Sequence, residues 1–402
     1  METRTAGTAL RAIAVVVALL LAWRVVVVGT EAWVEGGLAA NRERSRAPLE
    51  TEVPDLRWRA ELAQNPTNYA AMVMLALELE RQGKMADARA AMNEGTRLAP
   101  TNLQTLLQAA AFDLRVGDEP QALATLRRAA DLYPETHERI WPVFAVELDG
   151  GHREDYFAGV ARDNPEWWPE FFAYACQKAA NVDALQRVFA SRAAAGTVSA
   201  GERRCLIDRL QREHRWANAY QAWLNSLPAA QRQRVGFVFN GRFEWPISNL
   251  GFDWTTPAQE GVNVDTQPVV GATGRRALRV EFVNQRWGGP PVQQYLMLFP
   301  GRYRFEGRGR ADGLETWLGV QWGLYCRAEN GAERQLARSE RFRGSTEWQE
   351  WSEDFAVSAD CTVQVLRLEL ANPRRDAATP GDVAARLRGT VWFDDFRVRS
   401  LD

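Results

Sequence analysis

TNYAAMVMLALELERQGKMADARAAMNEGTRLAP (67–100) and TNLQTLLQAAAFDLRVGDEPQALATLRRAADLYP (101–134) are consecutive stretches of equal length that decide the fold of the first half of the chain. Prolines at Pro66, Pro100 and Pro134 fall 34 residues apart; glycine recurs at Gly83 and Gly117, and alanine at Ala76 and Ala110 and again at Ala88 and Ala122. Small residues at Ala76 and Ala110 let the first helix of a unit approach its neighbour. Glycine supplies a turn conformation that a Cβ would strain. Leu126 and Ala129 give the second helix an apolar stripe, and the proline ends it, because the residue before a proline is driven out of the helical region. The period predicts antiparallel helix pairs that bury their faces by stacking on one another.

The positions Gly83, Ala88, Pro100, Gly117, Ala122 and Pro134 resemble the signature of the tetratricopeptide repeat. The resemblance implies a superhelical arm whose concave face docks a protein partner. Past Pro134 the repeat decays, but helices are expected over 135–148, 153–162, 168–180, 183–194, 200–213 and 215–226. Ala217, Ala219, Ala222, Trp223 and Pro228 read as the second half of a degenerate unit, so the arm is assigned to 57–232. Trp167, Trp168, Phe171, Phe172 and Tyr174 form an aromatic cluster that is either a docking surface or a plug between helices.

From Val235 the pattern changes to short alternating or apolar runs: Val235–Phe239, Ala277–Phe282, Gln293–Phe299, Tyr303–Arg310, Leu318–Arg327, Glu347–Val357, Val363–Glu369 and Val391–Val398. Pro300-Gly301, Asn330-Gly331 and Pro380-Gly381 break them with turn chemistry. Residues 236–402 are thus expected to form an antiparallel β-sandwich of jelly-roll size, making the chain a multidomain α + β protein. The two ends of this region, Phe239-Asn240-Gly241-Arg242-Phe243-Glu244 with Trp254, and Trp392-Phe393-Asp394-Asp395-Phe396-Arg397-Val398, resemble the galactose-binding-like jelly rolls of carbohydrate-binding modules. The resemblance implies a polysaccharide ligand. It also implies opening and closing segments lying side by side around a structural calcium, with Glu244 and Asp395 as oxygen ligands.

The run Ala12–Val28 is apolar except for Arg24 and approaches the length of a bilayer-spanning helix, with Arg4 and Arg11 before it. Residues 1–30 are read as a single-pass inner-membrane anchor and 31–56 as a polar linker, with the bulk of the chain in a periplasm-like space. A cleaved signal peptide ending near Gly37-Leu38-Ala39-Ala40 is the rival reading. Cys176 and Cys205 lie in the helical half and Cys326 and Cys361 in the β half, one disulfide for each in an oxidising compartment, or four separate thiols. The net charge of −2, with only Lys84 and Lys178 as lysines, gives no sign of a nucleic-acid partner.

Catalytic signatures are scarce. His137, His152 and His214 share no spacing suited to a metal or a triad, and Gly271-Ala272-Thr273-Gly274 lacks the lysine of a phosphate loop. Glu347, Glu350, Glu353 and Asp354 are divided between two faces by strand alternation. The tryptophans are more informative, since an indole offers an apolar face and a polar edge to a sugar ring. Trp287, Trp317 and Trp348 are the stacking candidates, Arg286, Gln321 and Arg327 the hydroxyl-binding ones, and Trp254, Trp322 and Trp392 are assigned to the core. The sequence thus points to a non-enzymatic, membrane-anchored adaptor in cell-envelope polysaccharide assembly or export, docking protein through the arm and glycan through the sandwich. A protein scaffold with a ligandless sandwich and an envelope glycan hydrolase are the alternatives.

Overall fold

The computed structural model describes residues 54–151, 153–371 and 386–402. The proposed anchor, nearly all of the linker, and His152 lie outside these residues; no described helix is long and apolar enough to cross a membrane. The chain divides into two compact units, one ending at Val198 and the other beginning at Ser199.

The first unit is helical: α1 (Pro54–Gln64), α2 (Tyr69–Arg81), α3 (Met85–Leu98), α4 (Leu103–Arg115), α5 (Glu119–Leu132), α6 (His137–Asp149), α7 (Glu154–Asp163), α8 (Trp168–Lys178) and α9 (Val182–Ala194). The first helices of three successive pairs begin at Tyr69, Leu103 and His137, in the register of the prolines. Asn68 and Asn102 cap two of them, each side chain accepting the amide hydrogen three residues on, at 3.1 and 3.0 Å. Gly83 and Gly117 both turn at φ +76, a left-handed conformation that a Cβ disfavours. Gly151 repeats the turn at φ +70, so the register extends one pair beyond the last proline. There α7 starts one residue late, and fully buried Phe157 takes the place of Ala122. Neighbouring pairs are also tied at the surface by Glu80 with Arg115, Glu119 with Arg153 and Glu154 with Arg187. The aromatic cluster is a plug: Trp167, Trp168, Phe171 and Phe172 are buried, and Phe171 packs on Trp141, Phe144 and Phe157 with ring centres 5.5 to 5.8 Å apart.

The second unit opens with α10 (Ala200–Arg212), α11 (Trp216–Ser226) and the short α12 (Ala229–Arg232). These helices were expected to end the arm, yet they pack within the sheet-bearing unit. Buried Trp223 packs edge-on against Phe239 at 5.1 Å and tilted against Phe252 at 5.7 Å, and Gln211 donates to the Gly251 carbonyl at 3.0 Å. Nine antiparallel strands follow among the described residues: β1 (Val262–Gln267), β2 (Ala277–Arg286), β3 (Gln293–Leu296), β4 (Gly301–Glu315), β5 (Val320–Arg327), β6 (Glu333–Arg338), β7 (Gly344–Val357), β8 (Val363–Leu370) and β9 (Arg386–Ser400). They form a five-stranded sheet in the order β1-β2-β9-β4-β7 and a four-stranded sheet in the order β3-β8-β5-β6.

One apolar core holds both sheets, centred on Trp254, Trp322, Phe393 and Phe396, with Trp322 4.7 Å from Phe396 and 5.5 Å from Trp254. Trp254 and Trp322 are fully buried, as expected. Trp392 is not a core residue: Val391 and Phe393 point inward, so alternation turns it out, half-buried beneath the Arg279 guanidinium. Val235–Phe239 is not a strand; Phe239 packs against Trp223 of α11, Val238 joins the sandwich core and Phe237 packs on Tyr303. The polar strands β1 and β6 escaped sequence reading because each lies at a sheet edge.

Two stability predictions follow from this packing. Cys326 and Cys361 form a disulfide with a Cα separation of 5.5 Å, closing a 35-residue loop. The Cys326→Ser/Cys361→Ser double variant should lose about 3–4 kcal/mol by loop entropy, read by urea denaturation; a loss below about 1 kcal/mol would contradict the cross-link's role. Asp113 stands where Leu79 stands one unit earlier, and is buried. Burial, with the Asp118 carboxylate adding, pushes its carboxyl up to about 6 against the pull of Arg89. The folded state therefore holds the proton more tightly, and its stability falls as pH rises from about 4 to about 6. Asp113→Asn should remove that slope and add about 2 kcal/mol at pH 7, measured by denaturation at several pH values; an unchanged slope would show that Asp113 is solvated.

Candidate functional site

Burial of Val320, Trp322, Leu324 and Cys326 in the core sends the alternate residues of β5 outward: Gln321, Gly323, Tyr325 and Arg327. The register sets Tyr325 beside Val365, and Val365 beside Tyr295, so two tyrosines flank one valine across the outer face of the four-stranded sheet. Gly323 pairs with Arg367, and Gln321 with Glu369.

The side chains on this face form one network. The Tyr325 hydroxyl donates to Glu369, lying 2.7 and 2.8 Å from its two oxygens, and Gln321 Nε2 donates to the same carboxylate at 3.3 Å. The Arg367 guanidinium lies 4.2 Å from the Tyr325 ring centre and donates to Glu333 at 2.8 Å. Arg327 donates to the Tyr295 hydroxyl at 3.1 Å, and the Tyr295 ring lies 5.0 Å from Trp216 of α11. Glycine is required at 323: a Cβ there would stand 2.5 Å from the Tyr325 ring and 2.7 Å from Glu369 Oε1. Burial, reinforced by Glu369, holds the Tyr325 hydroxyl protonated well above its ordinary range. The face thus carries two tyrosine rings, Tyr295 and Tyr325, the latter with the Arg367 guanidinium over it and bordered by planar, oriented donors and acceptors.

The sequence candidates separate into groups. Gln321 and Arg327 are on this face, and Trp317 is 73% exposed on the loop leading into β5. Trp287 is drawn toward the core, 6.3 Å from Phe282, and Arg286 ends β2 in the other sheet. Trp348 is on β7, also in the other sheet, where its Nε1 donates to the Val270 carbonyl at 3.1 Å. Tyr325, Glu369 and Arg367 went unread in the sequence. Tyr325 had a signal, since assigning Trp322 to the core turns Tyr325 outward; the partners on β8 depend on a register that spacing does not reveal.

Glu244 and Asp395 test the calcium expectation. Burial pushes the Glu244 carboxyl up, but the Arg275 and Arg276 amides, with the Arg275 guanidinium, outweigh it and hold the group below its ordinary value. Glu244 Oε1 accepts the Arg275 amide at 2.6 Å, while Asp395 accepts the Arg397 guanidinium at 2.6 Å. Asp394 is fully buried and accepts the amide hydrogens of Thr273 and Asp395. Both candidate ligands are therefore neutralised by arginine, and no group of three or more His, Cys, Asp or Glu gathers among the described residues. This arrangement does not fit a hard cation, which needs carboxylate oxygens free to converge. A chelator should accordingly leave the melting temperature unchanged, whereas Glu244→Ala should lower stability by about 1–2 kcal/mol by orphaning the 275–276 amides. A chelator-induced fall of several degrees would contradict the assignment.

No family model matches the chain, and no curated protein does. Among solved structures, the sandwich region is similar to a CBM22-1 xylan-binding domain from Paenibacillus barcinonensis Xyn10C, at 16% identity over 40% of this chain and 92% of that one, with a TM-score of 0.29. A CBM4 structure matches at 14% identity over 40% and 99% of the two chains, with a TM-score of 0.29. TmCBM61 in complex with β-1,4-galactotriose matches at 17% identity over 41% and 99%, with a TM-score of 0.27. No residue role follows from likeness at this level.

Proposed function

We propose that the sheet-bearing unit is a non-catalytic glycan-binding module whose ligand lies on the outer face of the four-stranded sheet. The observation that carries this reading is the coupling of the Tyr325 ring to Glu369, Gln321 and Arg367. A pyranose has apolar C–H faces and equatorial hydroxyls, and this face has tyrosine rings for the former and fixed polar groups for the latter. Trp317, exposed on the adjoining loop, supplies a second stacking surface.

In the same reading the helical unit is a tetratricopeptide-type arm that docks a protein, and Ala12–Val28 tethers the chain to a membrane. The Cys326–Cys361 disulfide supports an oxidising compartment such as the periplasm. An adaptor that holds glycan close to a membrane-bound assembly or export partner combines these parts.

The test is affinity electrophoresis of the full chain through gels containing xylan, β-1,4-galactan, mannan or bacterial envelope polysaccharide. At least one should retard the protein. Tyr325→Ala and Trp317→Ala should each weaken retention about tenfold, equivalent to about 1.4 kcal/mol. Retardation by none, or undiminished retardation of the double variant, would sink the proposal.

A further inference from the structure

The outer face of the five-stranded sheet carries a second, chemically different site. A hollow of about 380 Å³ opens between β4, β7 and β9, within the size range of about 300–1,000 Å³ usual for small-ligand sites. Its arginines are mostly neutralised. Arg397 is paired with Asp395 at 2.6 Å and Arg399 with Glu306 at 3.1 Å. Arg308 is the exception, for it makes no ion pair with any described carboxylate. Its guanidinium lies 4.7 Å from the Trp348 ring centre, Nη1 is 3.3 Å from the Thr273 hydroxyl, and Nε is buried without a partner. The guanidinium is thus held in place by stacking and one hydrogen bond while its charge is unspent.

The nearest acids do not claim it. Asp394, opposite Arg308 on β9, is turned to the amides of Thr273 and Asp395. Glu350, opposite on β7, is exposed and unpaired among the described residues, and Ser352 stands two residues along the same strand.

We propose that this hollow binds a uronate residue, with Arg308 taking the sugar carboxylate and Glu350 and Ser352 taking adjacent hydroxyls. A planar guanidinium matches a carboxylate better than it matches a point charge. With Glu306 and Asp395 spent on Arg399 and Arg397, the unpaired Glu350 disfavours a dianion such as phosphate or sulfate, whereas a single carboxylate finds in Arg308 a cation left free among the described residues. The sugar class rests on the glycan reading of the preceding section, but none of the residues is shared with the Tyr325 face.

The test follows the indole N–H resonance of Trp348 in the full chain, assigned with Trp348→Phe, during titration with galacturonate, galactose and sulfate. Galacturonate should shift it saturably, with galactose and sulfate without effect at the same concentrations. Arg308→Gln should weaken the response at least tenfold. Glu350→Ala, at an exposed position that leaves the fold intact, should weaken it several-fold. Tyr325→Ala should leave the galacturonate response unchanged, so failure of the Tyr325 face and failure of this site are read separately. No shift with galacturonate, an equal shift with sulfate, or a full response in both the Arg308 and Glu350 variants would overturn the proposal.

Discussion

Burial of Trp322 between the two sheets is the constraint on which the surface of this protein depends. The indole packs on Trp254, Phe393 and Phe396 and fixes which side of β5 faces inward. Because side chains alternate along a strand, a slip of one residue would exchange Trp322 for Gly323 in the core and bury Gln321, Tyr325 and Arg327. Burying a tryptophan contributes several kcal/mol more than any polar contact on the face, so the core decides and the face follows. The same logic turns Trp392 outward, where it meets Arg279 and not the core.

A different constraint governs the helical unit. There the turn glycines set the period, and the rest of each pair is fitted to it. Gly83, Gly117 and Gly151 recur at 34-residue spacing with closely similar positive φ, while the residues that fill the space between helices vary. Where Ala110 and Ala122 give way to Phe144 and Phe157, and Leu107 to Trp141, the next pair brings Trp167 and Phe171 against them and the turn lengthens by one residue. The fading of the proline signature past Pro134 is thus a change in what packs between the helices, with the helices themselves preserved.

The sequence made the helices legible nearly to the residue, because apolar stripes, capping asparagines and turn glycines are local. Seven of the eight expected strands were legible for the same reason. The edges were not: VNVDTQ in β1 and ERQLAR in β6 bury little, and their pairing is set by neighbours distant in the chain. The candidate site was half legible. Gln321 and Arg327 were found, but Tyr325 was overlooked in favour of the larger indoles, of which Trp287 fills space and Trp348 braces the loop at Val270. Glu244 and Asp395 were recognised as paired features of the sandwich ends; Arg397, which satisfies Asp395, lies two residues along the same strand, whereas Arg275 reaches Glu244 through a contact that only folding brings about.

The central claim, that the face centred on Tyr325 is where glycan lies, is tested most directly by hydroxyl-radical footprinting of the full chain with and without a soluble oligosaccharide of the retained glycan. Protection of Tyr325 and Trp317 is expected on saturation, with Phe299, which is 79% exposed and takes part in none of the network's hydrogen bonds, unaffected. Protection confined to other aromatic residues, or none at a saturating concentration, would contradict it.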